Sequence, residues 1–171
     1  FSINESLSLS KLHDFLIIPG AEITTDEGHL LTFGLENYIF GMHSASFVKS
    51  LIQQSSGAMI LAHPYRRVFD ERFKKNSLEY EEMISRAINN PALSMVDSID
   101  TLNGRGTDYQ NQFSNDLSLK SQIPGSGASD AHSAEDIGKC ATEFLDEING
   151  VEDLIIALKA GRFHPIRLQR D

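Results

Sequence analysis

An uninterrupted apolar run, Ala58–Ala62, constrains the fold of this chain more than any other segment. The run has no polar face, which is typical of a strand that is buried on both sides in a parallel sheet covered by helices. His63 and Pro64 follow directly, and the proline ends the strand. From residue 58 onward, strand and helix patterns alternate, which predicts an α/β architecture with parallel strands.

Polar residues follow the predicted strands at the ends where an α/β fold forms its active site. They are His63 after Ala58–Ala62, Asn103 after a second strand, and the pair Asp130 and His132 after a third segment. The carboxyl ends of parallel strands share one edge of the sheet, so these side chains are expected to face a common site. A hydrogen-bonded core histidine is the alternative for His63, although its place at a strand end favours a ligand.

The pair Asp130 and His132 allows two interpretations. If the segment is the end of a strand, residues two apart point to the same face, and their carboxylate and imidazole converge as metal ligands do. Gly127 and Ala128 would then leave space for a ligand near the backbone. If the segment is a loop before a helix, Asp130 caps that helix and His132 lies on the surface.

Two more candidate ligands lie on a predicted hairpin near the N-terminus. Residues 21–25 have the β-branched pattern of a strand, Asp26-Glu27-Gly28 is a turn signal, and residues 29–35 form the return strand. Glu22 and His29 stand on opposite arms at similar distances from the turn, so they can lie close together across the ladder. The alternative for Glu22 is a carboxylate that faces solvent.

Periodic apolar positions and turn signals predict the remaining elements. The predicted helices span residues 44–56, 78–89, 107–121 and 151–159. Further short strands are predicted over residues 15–18, 96–102, 140–144 and 165–168.

Charge and cysteine content exclude several classes of function. The net charge of −9 argues against a broad nucleic-acid-binding surface. The single cysteine, Cys140, excludes an intrachain disulfide framework and a cysteine-based zinc site, so a reducing, cytoplasmic location is expected. No apolar run approaches the length that crosses a membrane. A nitrogen and oxygen ligand set without cysteine suits Zn²⁺, Mn²⁺ or Fe²⁺.

Four motifs, in this order, resemble the PHP (polymerase and histidinol phosphatase) family. They are Pro19-Gly20-Ala21-Glu22-Ile23-Thr24-Thr25, Gly28-His29-Leu30-Leu31, Leu61-Ala62-His63-Pro64-Tyr65-Arg66 and Gly127-Ala128-Ser129-Asp130-Ala131-His132. Asn103-Gly104-Arg105 precedes the last motif and strengthens the resemblance. The resemblance implies a distorted β/α barrel in which two or three divalent metal ions hydrolyse phosphate esters.

The resemblance also implies a role for each candidate ligand. Glu22 corresponds to the carboxylate that bridges two metal ions, and His29 and His63 correspond to ligands of one of them. Asp130 completes the shell of another ion, and His132 serves a third. Glu22 and Asp130 are therefore the residues on which catalysis is expected to depend most.

Two arginines accompany the candidate ligands. By charge and position, Arg66 and Arg105 would hold the phosphate of a small phosphorylated substrate, and solvated loop residues are the alternative for both. A metal ion on Glu22 would lower the pKa of a water molecule and make hydroxide available near neutral pH.

The chain departs from the family pattern in one respect. The family begins with a His-x-His motif on its first strand, and no such pair occurs here. Residues 1–171 are therefore expected to be a single PHP-like domain, its middle and C-terminal part, forming a partial barrel without the first strands. Phosphoester hydrolysis is expected when the upstream ligands are present. The alternative is a non-catalytic structural or interaction module with an incomplete metal site.

Overall fold

A computed structural model describes residues 3–35, 37 and 39–168 of the chain. Within these residues the α-helices are α1 (Ile3–His13), α2 (Ala45–Gln54), α3 (Leu78–Ile88), α4 (Asp108–Ser121) and α5 (Val151–Ala160). The strands are β1 (Ala21–Thr25), β2 (Gly28–Phe33), β3 (Ala58–Ala62), β4 (Ser98–Asn103), β5 (Gly125–Ala128), β6 (Cys140–Phe144) and β7 (Phe163–Arg167).

Five of the strands form one mixed sheet in the order β1-β2-β3-β4-β5. The β1–β2 hairpin and the β2–β3 pair are antiparallel, whereas β3, β4 and β5 run parallel. Helix α3 connects β3 to β4 and α4 connects β4 to β5, as parallel neighbours require a crossover. Strands β6 and β7 pair antiparallel in a second, two-stranded sheet.

Strand β3 is buried on both faces, which confirms the interpretation of its apolar sequence. Met59 and Leu61 belong to the large core cluster, together with residues of helices α2, α3 and α4. Ala58 and Ile60 point the other way, into a second cluster with residues of α5 and β7. The predicted α/β class with parallel strands after residue 58 is therefore confirmed.

The predicted barrel is not confirmed. The larger sheet is open, with β1 at one edge and β5 at the other, and the described residues form no closed barrel. Strand β1 pairs only with β2 in that sheet, so its outer backbone groups have no ladder partner there. Within the same described residues, no helix combines the length and apolarity needed to cross a bilayer.

The strand predicted over residues 15–18 is wrong. The segment instead folds back on the end of α1: the Phe15 N–H donates to the Ser10 carbonyl at 3.1 Å, and the Ile17 N–H donates to Ser10 Oγ at 2.8 Å. A strand requires ladder partners for its backbone, and these backbone donors are already satisfied locally. Apolar content alone therefore did not produce a strand.

Gly127 is required by packing between the two sheets. A Cβ atom added at Gly127 would lie 2.4 Å from the carbonyl oxygen of Ala141 in β6. The Gly127 N–H also donates to Thr142 Oγ1 at 2.9 Å. The space that the sequence suggested for a ligand at Gly127 is therefore filled by the β6 backbone.

Substituting Gly127 with alanine should destabilise the fold. The new methyl group meets backbone rather than a movable side chain, and such overpacking costs roughly 1–3 kcal/mol of unfolding free energy. Urea denaturation measures the effect. Gly150→Ala is the control, because only the Glu152 carboxylate lies near its Cβ position, at 3.4 Å. Equal stability of the two variants would contradict the close contact of β5 with β6.

Candidate metal centre

The β1–β2 ladder brings Glu22 and His29 together. Glu22 pairs with Leu31 and His29 pairs with Thr24, so the two side chains are diagonal neighbours on the hairpin. Glu22 Oε1 lies 2.6 Å from His29 Nδ1. The predicted proximity of these two side chains is confirmed, although it arises from a diagonal and not from a direct pair.

His63 joins this pair through the next ladder. His29 pairs with Ala62 at the end of β3, and His63 follows with a positive φ of 28°. Its Nε2 atom lies 3.3 Å from Glu22 Oε1, and its ring centroid lies 5.1 Å from that of His29. One ligand atom from each of the three residues therefore falls within 4.8 Å of the other two.

The environment of His63 favours the form that binds a metal. The side chain is buried, and this burial, followed by the charge of Arg66, lowers the pKa of the imidazole. The ring is then neutral at physiological pH, as coordination requires. A carboxylate oxygen and two imidazole nitrogens at this spacing fit a divalent cation.

Asp130 lies beside this cluster and is held by two protein groups. Its Oδ2 atom pairs with the Arg66 guanidinium and lies 3.3 Å from Asn103 Nδ2. The same guanidinium approaches His63, with Nη1 2.9 Å from Nε2. Arg66 thus connects Asp130 to the Glu22-His29-His63 cluster.

Of the two interpretations of the Asp130 and His132 pair, the loop before a helix describes the observed segment in part. Residues 129–133 form a loop that leads into the short helix Ala134–Asp136, and His132 is exposed. Strand β5 ends at Ala128, and Asp130 has a positive φ of 50°. Asp130 and His132 are therefore not strand residues whose side chains share one face. The Asp130 carboxylate pairs with Arg66 and does not cap a helix. His132 Nδ1 lies 2.9 Å from the Asp130 carbonyl oxygen. Their roles as metal ligands stay predictions.

The two predicted phosphate-binding arginines border one open recess next to the cluster. This recess is lined by Tyr65, Arg66, Arg105, Gln110 and His132. Arg105 is exposed, and its backbone N–H donates to Asn103 Oδ1 at 2.9 Å, which fixes the start of its loop. Binding of a phosphate by these arginines stays a prediction.

Asp100 is a buried residue of the site that sequence reasoning missed. Its Oδ2 atom accepts from Asn103 Nδ2 at 2.8 Å and from the His63 N–H at 3.3 Å. Oδ1 has no hydrogen-bond partner among the described residues. Burial is the main cause that raises the pKa of Asp100 to about 6. The available signal was a carboxylate within the strand predicted over residues 96–102, which also contains Asp97.

The raised pKa of Asp100 predicts a pH-dependent gain in stability for Asp100→Asn. Because folding raises this pKa from 3.8 to about 6, the wild type loses stability as the pH rises through that interval. The amide keeps an acceptor for Asn103 and avoids the buried charge. The variant should be more stable by on the order of 2 kcal/mol at pH 8 and not at pH 4. Urea denaturation at both pH values checks this, and an equal change at both would contradict it.

Comparison with family models finds a match to part of the chain. Residues 108–163 match the family model described as PHP-associated. That segment begins with α4, ends at the first residue of β7, and includes the Asp130 loop. The match confirms the resemblance to PHP proteins that the sequence motifs indicate.

Among solved structures, the chain is similar to the crystal structure of PsfC from Pseudomonas syringae PB-5123. The TM-score is 0.62 with 15% sequence identity, and the similarity covers 89% of this chain. The chain spans 59% of the length of the PsfC chain. At this identity the similarity concerns the fold alone. None of the curated proteins matches the sequence.

Proposed function

We propose that this protein hydrolyses phosphate esters at a divalent-metal centre held by Glu22, His29 and His63. The observation that carries the proposal is the convergence of a carboxylate and two imidazoles, with ligand atoms within 4.8 Å of one another. The PHP-associated match over residues 108–163 supports it, because that segment supplies the Asp130 loop beside the cluster.

Each residue of the cluster has a defined task in this proposal. Glu22 would bridge two ions, His29 and His63 would hold one of them, and Asp130 and His132 would be ligands of the further ions. Two or three ions of Zn²⁺, Mn²⁺ or Fe²⁺ are proposed for the complete site, within a partial, distorted PHP-type barrel that lacks its first strands. The bound metal supplies a water molecule of lowered pKa and offsets the negative charge of the phosphoryl oxygens.

Arg66 and Arg105 orient the substrate in this proposal. Both border the recess beside the cluster, and guanidinium groups match phosphate oxygens in charge and geometry. The recess opens to solvent, which suits a small phosphorylated substrate that enters from one side. The reaction requires no covalent bond between substrate and protein.

The same proposal treats residues 1–171 as one PHP-like domain and places the protein in the cytoplasm. Cys140 is a buried free thiol, which is compatible with a reducing compartment.

A substrate panel tests the proposed activity. The protein loaded with Mn²⁺ or Zn²⁺ should release phosphate from at least one member of a panel of phosphomonoesters and nucleotides. Chelation should stop the release and renewed metal should restore it. Failure to release phosphate from every member of the panel would overturn the proposal.

A non-catalytic structural or interaction module is the second candidate. It is favoured by the contacts of Asp130, whose carboxylate pairs with Arg66 and lies 3.3 Å from Asn103 Nδ2. Metal content separates the two functions. Two or more tightly bound ions per chain argue against a purely structural role, and none, together with high stability, argues for it.

A further inference from the structure

The Arg66 guanidinium contacts two groups that a metal centre of this kind needs. Its Nη1 atom lies 2.9 Å from His63 Nε2, and its Nη2 atom pairs with Asp130 Oδ2. Guanidinium has donors only, so its contact with the neutral imidazole uses the lone pair on Nε2. That atom also faces the cluster, 3.3 Å from Glu22 Oε1.

We propose that Arg66 is an internal cation that competes with the metal ions of this centre for His63 and for Asp130. The inference rests on the proposed metal centre and adds that Arg66 weakens metal binding there. Competition follows from stereochemistry, because Nε2 has one lone pair and cannot serve the guanidinium and a metal ion together. A second reason is electrostatic, since a fixed positive charge beside the cluster raises the free energy of a divalent cation there.

The surroundings of Arg66 allow the displacement that this competition requires. The Arg66 side chain is 38% exposed and borders the open recess beside the cluster. A guanidinium that leaves His63 therefore has solvent-accessible space next to it. In contrast, the Asp130 side chain is 9% exposed, so either cation meets a largely buried carboxylate.

Arg67 provides a matched control on the same short turn, Pro64–Arg67. Its Nη1 atom donates to the Asp26 carbonyl oxygen at 2.8 Å, and the residue lines a cavity together with His29 and His63. Arg67→Met removes the same charge near the cluster and leaves the Arg66 contacts intact. The difference between Arg66→Met and Arg67→Met therefore isolates the competition from the loss of net charge.

The test is a Co²⁺ titration of the metal-depleted full chain, followed by visible absorption of the bound ion. Arg66→Met should bind Co²⁺ at least about tenfold more tightly than Arg67→Met, which corresponds to 1.4 kcal/mol. Arg66→Lys keeps the positive charge but loses the planar guanidinium, so its Co²⁺ affinity should lie between those of Arg66→Met and the wild type. Circular dichroism of each variant verifies that it is folded.

Each outcome decides the inference. Tighter binding by Arg66→Met than by Arg67→Met supports it. Equal affinities overturn it, because charge alone then explains the change, and weaker binding by Arg66→Met overturns it by making Arg66 a support of the metal. Absence of Co²⁺ binding by all proteins would overturn the metal centre itself, which distinguishes failure of the proposed function from failure of this inference.

Discussion

Glu22→Gln is expected to lower the affinity for a divalent metal by about 100-fold or more. Loss of a group that only orients a metal ligand already lowers metal affinity by about 10–100-fold. Glu22 is proposed as a ligand itself, so its loss should have at least the upper end of this effect. Its Oε1 atom lies 2.6 Å from His29 Nδ1 and 3.3 Å from His63 Nε2, so it occupies the middle of the cluster. The amide keeps the size of the side chain and removes its negative charge.

Glu143→Gln is the matched control for this prediction. Glu143 is also an exposed strand carboxylate that pairs with a histidine, with Oε2 2.8 Å from His164 Nε2, but it lies in the second sheet. Calorimetric titration with Zn²⁺ or Mn²⁺ gives the affinities. Wild-type affinity in Glu22→Gln, or an equal loss in Glu143→Gln, would contradict the assignment of the centre.

Asp130→Asn is expected to reduce phosphate release by about 100-fold, the upper end of what partners of metal ligands contribute. The proposal makes Asp130 a ligand of a further ion, and the same carboxylate pairs with Arg66 when it holds no metal. The carboxamide can retain a hydrogen bond to one of its neighbours. It cannot supply the negative charge that a metal ion and a guanidinium both require.

Asp146→Asn controls for the loss of an aspartate paired with an arginine. Asp146 Oδ2 lies 2.6 Å from Arg162 Nε, in a surface pair outside the cluster. Steady-state phosphate release by the metal-loaded variants, with urea denaturation to verify folding, gives the comparison. If Asp130→Asn releases phosphate at the same rate as Asp146→Asn, the Asp130 loop is not part of the catalytic site.

Local patterns predicted the framework of this fold well. The strand Ala58–Ala62 was predicted residue for residue, because a fully apolar run between a glycine and a histidine-proline pair has few other solutions. Helix α3 was predicted to end at residue 89 and ends at Ile88, since its apolar positions recur with helical spacing.

The hairpin also predicted two of the three members of the cluster. A turn signal between two β-branched segments determines which residues face one another, so the proximity of Glu22 and His29 was accessible from sequence. The third member was harder to place. His63 reaches them only because β2 pairs antiparallel with β3, and no local pattern specifies that long-range register.

The contacts around Asp130 could not be predicted in the same way. Asp130 and Arg66 are 64 positions apart, and the loop takes a left-handed backbone conformation that non-glycine residues rarely adopt. Their pairing depends on how β3 and β5 flank β4 in the finished sheet. The role of Asp100 could not be predicted for a related reason, because a strand pattern does not show whether a carboxylate becomes buried.

The most direct test of the metal-dependent function measures phosphate release while Mn²⁺ is titrated into the metal-depleted protein, with bound metal counted in the same samples. We expect a rate that rises with bound metal, saturates when the sites fill, and vanishes in Glu22→Gln. A rate that is independent of bound metal, or that survives unchanged in Glu22→Gln, would contradict it.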